Sequence, residues 1–144
     1  MIKFVETEAL LPLRSTVLRD GKPLDQCVFA GDDDPDTFHL ADIRDDQPVC
    51  IASFHLKSHP DFAGKAYQLR GMATSAKFRG RGAGKQLLGF AIEHLRSLHI
   101  DYLWCNARTA ACPFYLSMGF ELISPEFEIE GIGPHRAMKL DVRY

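Results

Sequence analysis

Residues 79 to 85 read Arg79-Gly80-Arg81-Gly82-Ala83-Gly84-Lys85, which places three glycines and three cations side by side. Glycine lets the backbone turn tightly and approach a ligand closely. Directly afterwards Leu87, Leu88, Ala91, Ile92, Leu95 and Leu98 recur at the helical period and mark one apolar face. A glycine loop that opens such a helix aims free backbone N–H groups and the positive end of the helix dipole at one spot. That is an anion site, most often for phosphate, and the flanking Arg79, Arg81 and Lys85 add charge to it. The competing reading is a glycine-rich turn with solvated basic side chains.

Spacing removes two common phosphate loops. A P-loop requires Gly, four residues, then Gly-Lys-Ser/Thr; here Arg79 stands where the first Gly belongs and Gln86 replaces the hydroxyl. A dinucleotide fingerprint requires Gly-x-Gly-x-x-Gly, and the third position falls on Lys85 or Leu87. What remains is Arg79-x-x-Gly82-x-Gly84. This resembles the acetyl-coenzyme A signature of the GNAT (general control non-derepressible N-acetyltransferase) superfamily. A second segment strengthens the resemblance. Trp104-Cys-Asn106-Ala-Arg108 leads through Phe114-Tyr115 to Gly119-Phe120, similar to that superfamily's C-terminal motif, in the same order and one helix and one strand away. The likeness covers about residues 50 to 144. The tail from Phe127 through Pro134 and His135 to Met138 resembles the last hairpin of a bacterial branch largely without assigned substrates.

The resemblance implies an acetyl-coenzyme A-dependent N-acetyltransferase acting on a primary amine of a small molecule or peptide. Gly80, Ala83 and the rest of the 79–85 loop would hold the pyrophosphate. Backbone N–H groups of Met72, Ala73 and Thr74 would face the thioester carbonyl, where donors aimed at a developing oxyanion are worth about 3 kcal/mol. Tyr115 would be the general acid, a phenol able to protonate a departing thiolate; the alternatives are a core aromatic and a group that only positions the coenzyme. Asn106 matches a strand-end residue that contacts the coenzyme, although its gap to Tyr115 is two residues longer than the commonest pattern, and Arg108 is the alternative. The C-terminal hairpin of such folds often meets a second subunit, which leaves a homodimer open.

The general base is not marked. Many superfamily members carry a glutamate on the strand before the glycine loop, and Tyr67-Gln68-Leu69-Arg70-Gly71-Met72 has none. Gln68 and Arg70 share a strand face and are expected to line the acceptor pocket, with His39 as a further substrate contact. Candidate bases are His39, His55, His135 and Glu121, or a water chain. The missing glutamate also keeps open a non-catalytic module that binds or senses acyl-coenzyme A. Asp32-Asp33-Asp34-Pro35-Asp36 reads either as a solvated turn or as an acidic rim that recruits a cationic amine. It lacks calcium-loop spacing, and no metal is expected.

Composition fits one compact domain over residues 1–144, with 46% hydrophobic and 25% charged residues. A net charge of −2 argues against a nucleic-acid or anionic-membrane surface. No apolar run approaches the roughly 20 residues that span a bilayer, and the first residues show no signal peptide. Cys27, Cys50, Cys105 and Cys112 lack any Cys-x-x-Cys pair and read as reduced residues of a cytoplasmic protein.

The elements that must position these residues alternate between strand and helix. Strands are predicted over 2–5, 37–43, 49–55, 67–74, 100–106, 120–129 and 136–143, and helices over 6–19, 82–98 and 109–118. Pro12 is placed in the first turns of a late-starting helix. Residues 20–36 and 58–65 are loops, and Asp45-Asp-Gln-Pro is a hairpin turn. The expected fold is α/β (α+β), a mixed, mostly antiparallel GNAT-like sheet of six to seven strands with helices on both faces.

Overall fold

Alternating burial along the central strands decides which side of the sheet each helix covers. The structure, a computed structural model, describes residues 1–143. In chain order it contains β1 (Ile2–Val5), α1 (Thr7–Leu13), β2 (Phe38–Arg44), β3 (Gln47–Leu56), β4 (Ala66–Thr74), α2 (Ala83–Ser97), β5 (Tyr102–Arg108), α3 (Cys112–Ser117), β6 (Glu121–Leu122), β7 (Phe127–Ile129) and β8 (Gly133–Asp141). On β2 and β3, Leu40, Cys50, Ala52 and Phe54 pack under α2 through Leu87, Leu88, Ala91 and Leu95. Their neighbours Ala41 and Ile51 turn to the opposite side and pack with Ala73 under Leu10 of α1. The period of two thus carries a helix on each face, as the sequence predicts.

The strands form one sheet in the order β1-β2-β3-β4-β5-β8-β6, with β7 also paired to β8. Every pairing is antiparallel except β4 with β5. Eight strands appear rather than six or seven because the segment 120–129 breaks in two. Pro125 follows Ser124 at the break, and Ser124 Oγ accepts the Ala137 amide at 2.9 Å in place of a ladder bond. The β2–β3 hairpin closes on Asp45 and Asp46, both left-handed at φ 51° and 61°, a primed turn whose twist matches the strands.

The predicted helix over 6–19 is shorter and changes pitch. It starts at Thr7, so Pro12 lies near its end rather than its beginning. Proline cannot donate to the preceding turn, and the chain widens into a π turn over Arg14–Leu18. That turn drives Arg14 into the interior, where it is fully buried.

Two irregularities open the sheet. β4 pairs with β5 only at Ala66–Tyr102, Tyr67–Leu103 and Gln68–Trp104, after which the two strands part. Against β3, the register slips by one residue opposite Ala52, between Ser53–Arg70 and Ile51–Ala73. This is a bulge at Gly71 and Met72, with Gly71 at φ +64°. A Cβ on Gly71 would sit 2.7 Å from Phe29 Cε2. Gly71→Ala should therefore lower stability by about 1–3 kcal/mol through backbone strain and crowding. Gly89, inside α2 with nothing within 4 Å of an added Cβ, supplies the opposite case: Gly89→Ala should raise stability by about 0.5–1 kcal/mol. Urea denaturation of the two variants checks both signs.

Candidate active site

The parted strands leave two clefts that meet at one point. The first, about 480 Å³, is lined by Met72, Ala73 and Thr74 at the end of β4, by Arg79 to Lys85 except Arg81, and by Phe114 and Tyr115 of α3. Gly82 is the N-cap of α2, left-handed at φ +80°, and no side chain caps the helix. The amides of its first turn are consequently unspent, and no acidic residue sits in that turn to offset its dipole. A Cβ at Gly84 would meet Met72 Cε at 3.2 Å and Phe114 Cζ at 3.4 Å, so a larger residue there would press on the wall that Met72 and Phe114 form. Arg79 is exposed and donates through Nε to Thr74 O at 3.3 Å. Arg81 lies outside the lining, 5.6 Å over the Phe78 ring.

Backbone direction along β4 follows from one bond. Ser75 N donates to Val49 O at 2.7 Å, and Ala73 pairs with Ile51 two residues earlier. Alternation turns the amides of Thr74 and Met72 away from β3, toward the gap. Of the three predicted backbone donors, Ala73 is therefore directed at β3 and Met72 and Thr74 at the cleft.

Tyr115 and Met72 stand at the junction, lining both clefts along with Ala111. The Tyr115 hydroxyl donates to Met72 Sδ at 3.7 Å. Its ring is held edge-on by Phe114 and Phe120, with centroids 5.1 and 5.3 Å away. Burial, reinforced by Cys105, Cys112 and Cys50, pushes the phenol far above its ordinary value. The hydroxyl stays protonated at every physiological pH, and the cleft as it stands resists a phenolate.

The second cleft, about 520 Å³, lies on the other side of the junction. Gln68 and Arg70 of β4, Asn106 and Arg108 of β5, and Phe29 and His135 all line it. Asn106 and Arg108 thus line the second cleft with Gln68 and Arg70, and not the cleft at the glycine loop. Among the four candidate bases, His135 is the one in this lining. Its Nδ1 pairs with Gly133 O at 2.8 Å. A carbonyl only accepts, so Nδ1 carries the proton and the neutral ring keeps its lone pair at Nε2. Glu121 is exposed on the sheet edge and pairs with Lys139 at 3.4 Å.

His39 is a correction. It lines neither cleft and belongs to a buried network that residue types and spacing do not mark. Arg14 donates to both Asp32 carboxylate oxygens, at 2.6 and 3.1 Å, and to Ser53 Oγ at 2.7 Å. Ser53 Oγ lies 2.7 Å from His39 Nδ1, and His39 Nε2 lies 2.9 Å from Asp32 O. Both ring nitrogens are spent on structure. His55 sits beside the pair, its Nε2 3.4 Å from Asp32 Oδ1, and burial with the charge of Arg70 pulls its pKa down. Asp32 is accordingly an interior anion and no part of an acidic rim. A buried arginine in a π turn leaves no periodic signature, which is why residue types and spacing could not find this network.

Residues 6–120 match the family model described as acetyltransferase (GNAT) family. The chain belongs to the GNAT family. It is 33% identical over 143 residues to an uncharacterized N-acetyltransferase, YitI, of Bacillus subtilis, with 99% of this chain and 96% of that protein covered. Escherichia coli ElaA shares the fold at TM-score 0.78 and 23% identity, over 96% of this chain and 97% of that one. An aminoglycoside 6'-N-acetyltransferase complexed with coenzyme A shares it at TM-score 0.78 and 10% identity, over 99% and 97%. The GNAT chain is thus an acetyl-coenzyme A-dependent N-acetyltransferase. Among its described residues no helix is long and apolar enough to cross a membrane, and no group of three or more His, Cys, Asp or Glu could hold a metal.

Burial alone would raise the Asp32 carboxyl, but hydrogen bonds from Arg14 and the Phe29 amide outweigh it and hold the group below its usual 3.8. The stabilisation is therefore complete above that pH and is lost as pH falls through the depressed folded value. Asp32→Asn should cost about 3–5 kcal/mol, because it strands a buried guanidinium. It should also flatten the acid limb of the stability curve; urea midpoints measured from neutral pH down to pH 3 check both.

Proposed function

We propose that residues 1–144 act as one unit that transfers an acetyl group to a primary amine of a small molecule or peptide by direct attack, with donor and acceptor entering the two clefts from opposite sides. The observation that carries this reading is the junction: the Tyr115 hydroxyl and Met72 border both clefts. Bound acetyl-coenzyme A supplies the activated thioester and a thiolate leaving group. The unspent amides and open glycines at the start of α2 suit its pyrophosphate, and Arg79 and Lys85 add charge there. The amides of Met72 and Thr74 point where an acyl oxygen would gain charge, and their preorganisation lowers the barrier without rearrangement at the moment of reaction.

His135 Nε2 takes a proton from the attacking amine; its lone pair is available because Gly133 O fixes the other nitrogen. Tyr115 donates to the departing sulfur. Because burial makes the phenolate costly, the hydroxyl acts first by hydrogen-bond donation. The thiolate leaves with the phenolic proton, and the proton that His135 took from the amine returns to the phenol through water, so that amine and thioester give amide and thiol with both side chains restored. Arg81 and Asn106 contribute at the edges, through charge near the loop and a polar contact on β5.

Thiol release over a panel of amines tests the reading, and binding of acetyl-coenzyme A with no turnover on any amine would overturn it. Tyr115→Phe should lower kcat by about 100-fold while the acetyl-coenzyme A Kd stays nearly unchanged. Gly82→Asp should weaken that Kd at least about tenfold by placing a carboxylate at the anion site. It should leave the fold intact, since nothing lies within 4 Å of the added Cβ and aspartate tolerates the left-handed region. Calorimetric titration and thermal unfolding separate the two effects.

A further inference from the structure

The acceptor-side cleft is charged in one direction. Arg19, Lys57, Arg70 and Arg108 line it, and no aspartate or glutamate does. Three guanidinium groups surround the Phe29 ring, with Arg14, Arg70 and Arg19 at 3.8, 4.6 and 5.7 Å from its centroid. One carboxylate, Asp32, is buried near them, and Arg14 takes both of its oxygens. Arg70 is half-buried on β4, and among the described residues its guanidinium has no hydrogen bond or ion pair; it lies over the face of Phe29. Burial lowers its pKa; the charge of Asp32 opposes that shift, and the charges of Arg14 and Arg19 add to it. A guanidinium cannot shed its proton in this range, so the site holds a positioned, under-compensated cation. Such a group is stabilised by an anion delivered from outside, and its planar fork matches a carboxylate.

We infer that the acceptor is an amine that also carries a carboxylate, an amino-acid-type substrate, and that Arg70 binds that carboxylate. This rests on the acetyl-transfer reading above and narrows its acceptor. A plain cationic amine would enter a field of its own sign, which disfavours it before any contact is made. Arg70 sits two residues before Met72 on the same strand, so an anion held there leaves the attached amine within reach of the junction with Tyr115. Arg19 supplies a second cation from the segment after α1, and both guanidiniums lie over the Phe29 ring, at 4.6 Å for Arg70 and 5.7 Å for Arg19.

The experiment has two arms. Calorimetric titration of acetyl-coenzyme A into wild type and Arg70→Gln comes first; absence of binding to wild type would sink the acetyl-transfer reading itself. The coenzyme A-saturated protein is then titrated with matched pairs: phenylalanine and phenethylamine, ornithine and putrescine, and O-phosphoethanolamine and ethanolamine. Turnover is followed with acetyl-coenzyme A. At least one carboxylate-bearing member should bind and react at least tenfold better, by kcat/KM, than its decarboxylated partner. Arg70→Gln should erase that preference mainly through KM, with the acetyl-coenzyme A Kd unchanged. Arg143→Gln, near Asp101 at the closed end of β5, should behave as wild type. The inference is overturned if decarboxylated amines are equal or better, if only the phosphate-bearing amine is selected, if Arg70→Gln keeps the preference, or if coenzyme binds while no carboxylate-bearing amine does.

Discussion

Two strands that share three register pairs and then part are the constraint from which the site follows. Among the described residues β4 and β5 are the only parallel neighbours in an otherwise antiparallel sheet, and a parallel pair has no hairpin to hold it closed. At the closed end Asp101 N bonds to Lys65 O at 2.8 Å; beyond Gln68 nothing in the ladder ties the strands together. The bulge at Gly71 then bends β4 within the gap. Backbone amides that a sheet would normally consume are left unpaired, and Met72 and Tyr115 line the clefts where another strand would lie.

Charge is distributed on either side of that gap with little overlap. At the glycine loop it comes from backbone amides and exposed cations, which are cheap to solvate when no anion is present. Around Phe29 in the second cleft it comes from half-buried guanidiniums near the ring, which are not. The interior pair of Arg14 and Asp32 explains how so much positive charge is tolerated there. It joins the π turn, the loop around residue 32 and β3 through Ser53, and anchors the wall on which Phe29 stands, since the Phe29 amide donates to Asp32 at 2.7 Å.

Much of the frame was legible from sequence because it rests on periodic burial and on spacing. The α2 face, the alternating strands and the glycine loop all announce themselves through residue types at fixed intervals. Asp45-Asp46 was readable as a turn for the same reason. The split of the 120–129 strand was harder, since it depends on Pro125 and on Ser124 standing in for a ladder bond. The function of His39 was not readable at all: a histidine on a strand looks the same whether it faces a substrate or a serine, and only the partner across β3 decides. The same holds for Asp32, which belongs to an acidic run in sequence and to an arginine in space. Sequence order placed Asn106 beside the coenzyme motif, whereas the divergence of β5 from β4 carries it to the other cleft.

The narrow meeting of the two clefts has an evolutionary consequence. The residues around the glycine loop and those around Phe29 overlap only at Met72, Ala111 and Tyr115. Substitutions in the segment from Arg19 to Phe29, or in the β7–β8 hairpin, can remodel one half without disturbing the other. The chain is in this sense modular within a single sheet: a lineage can reshape the cleft around Phe29 by editing two peripheral segments while inheriting the cleft at the glycine loop unaltered.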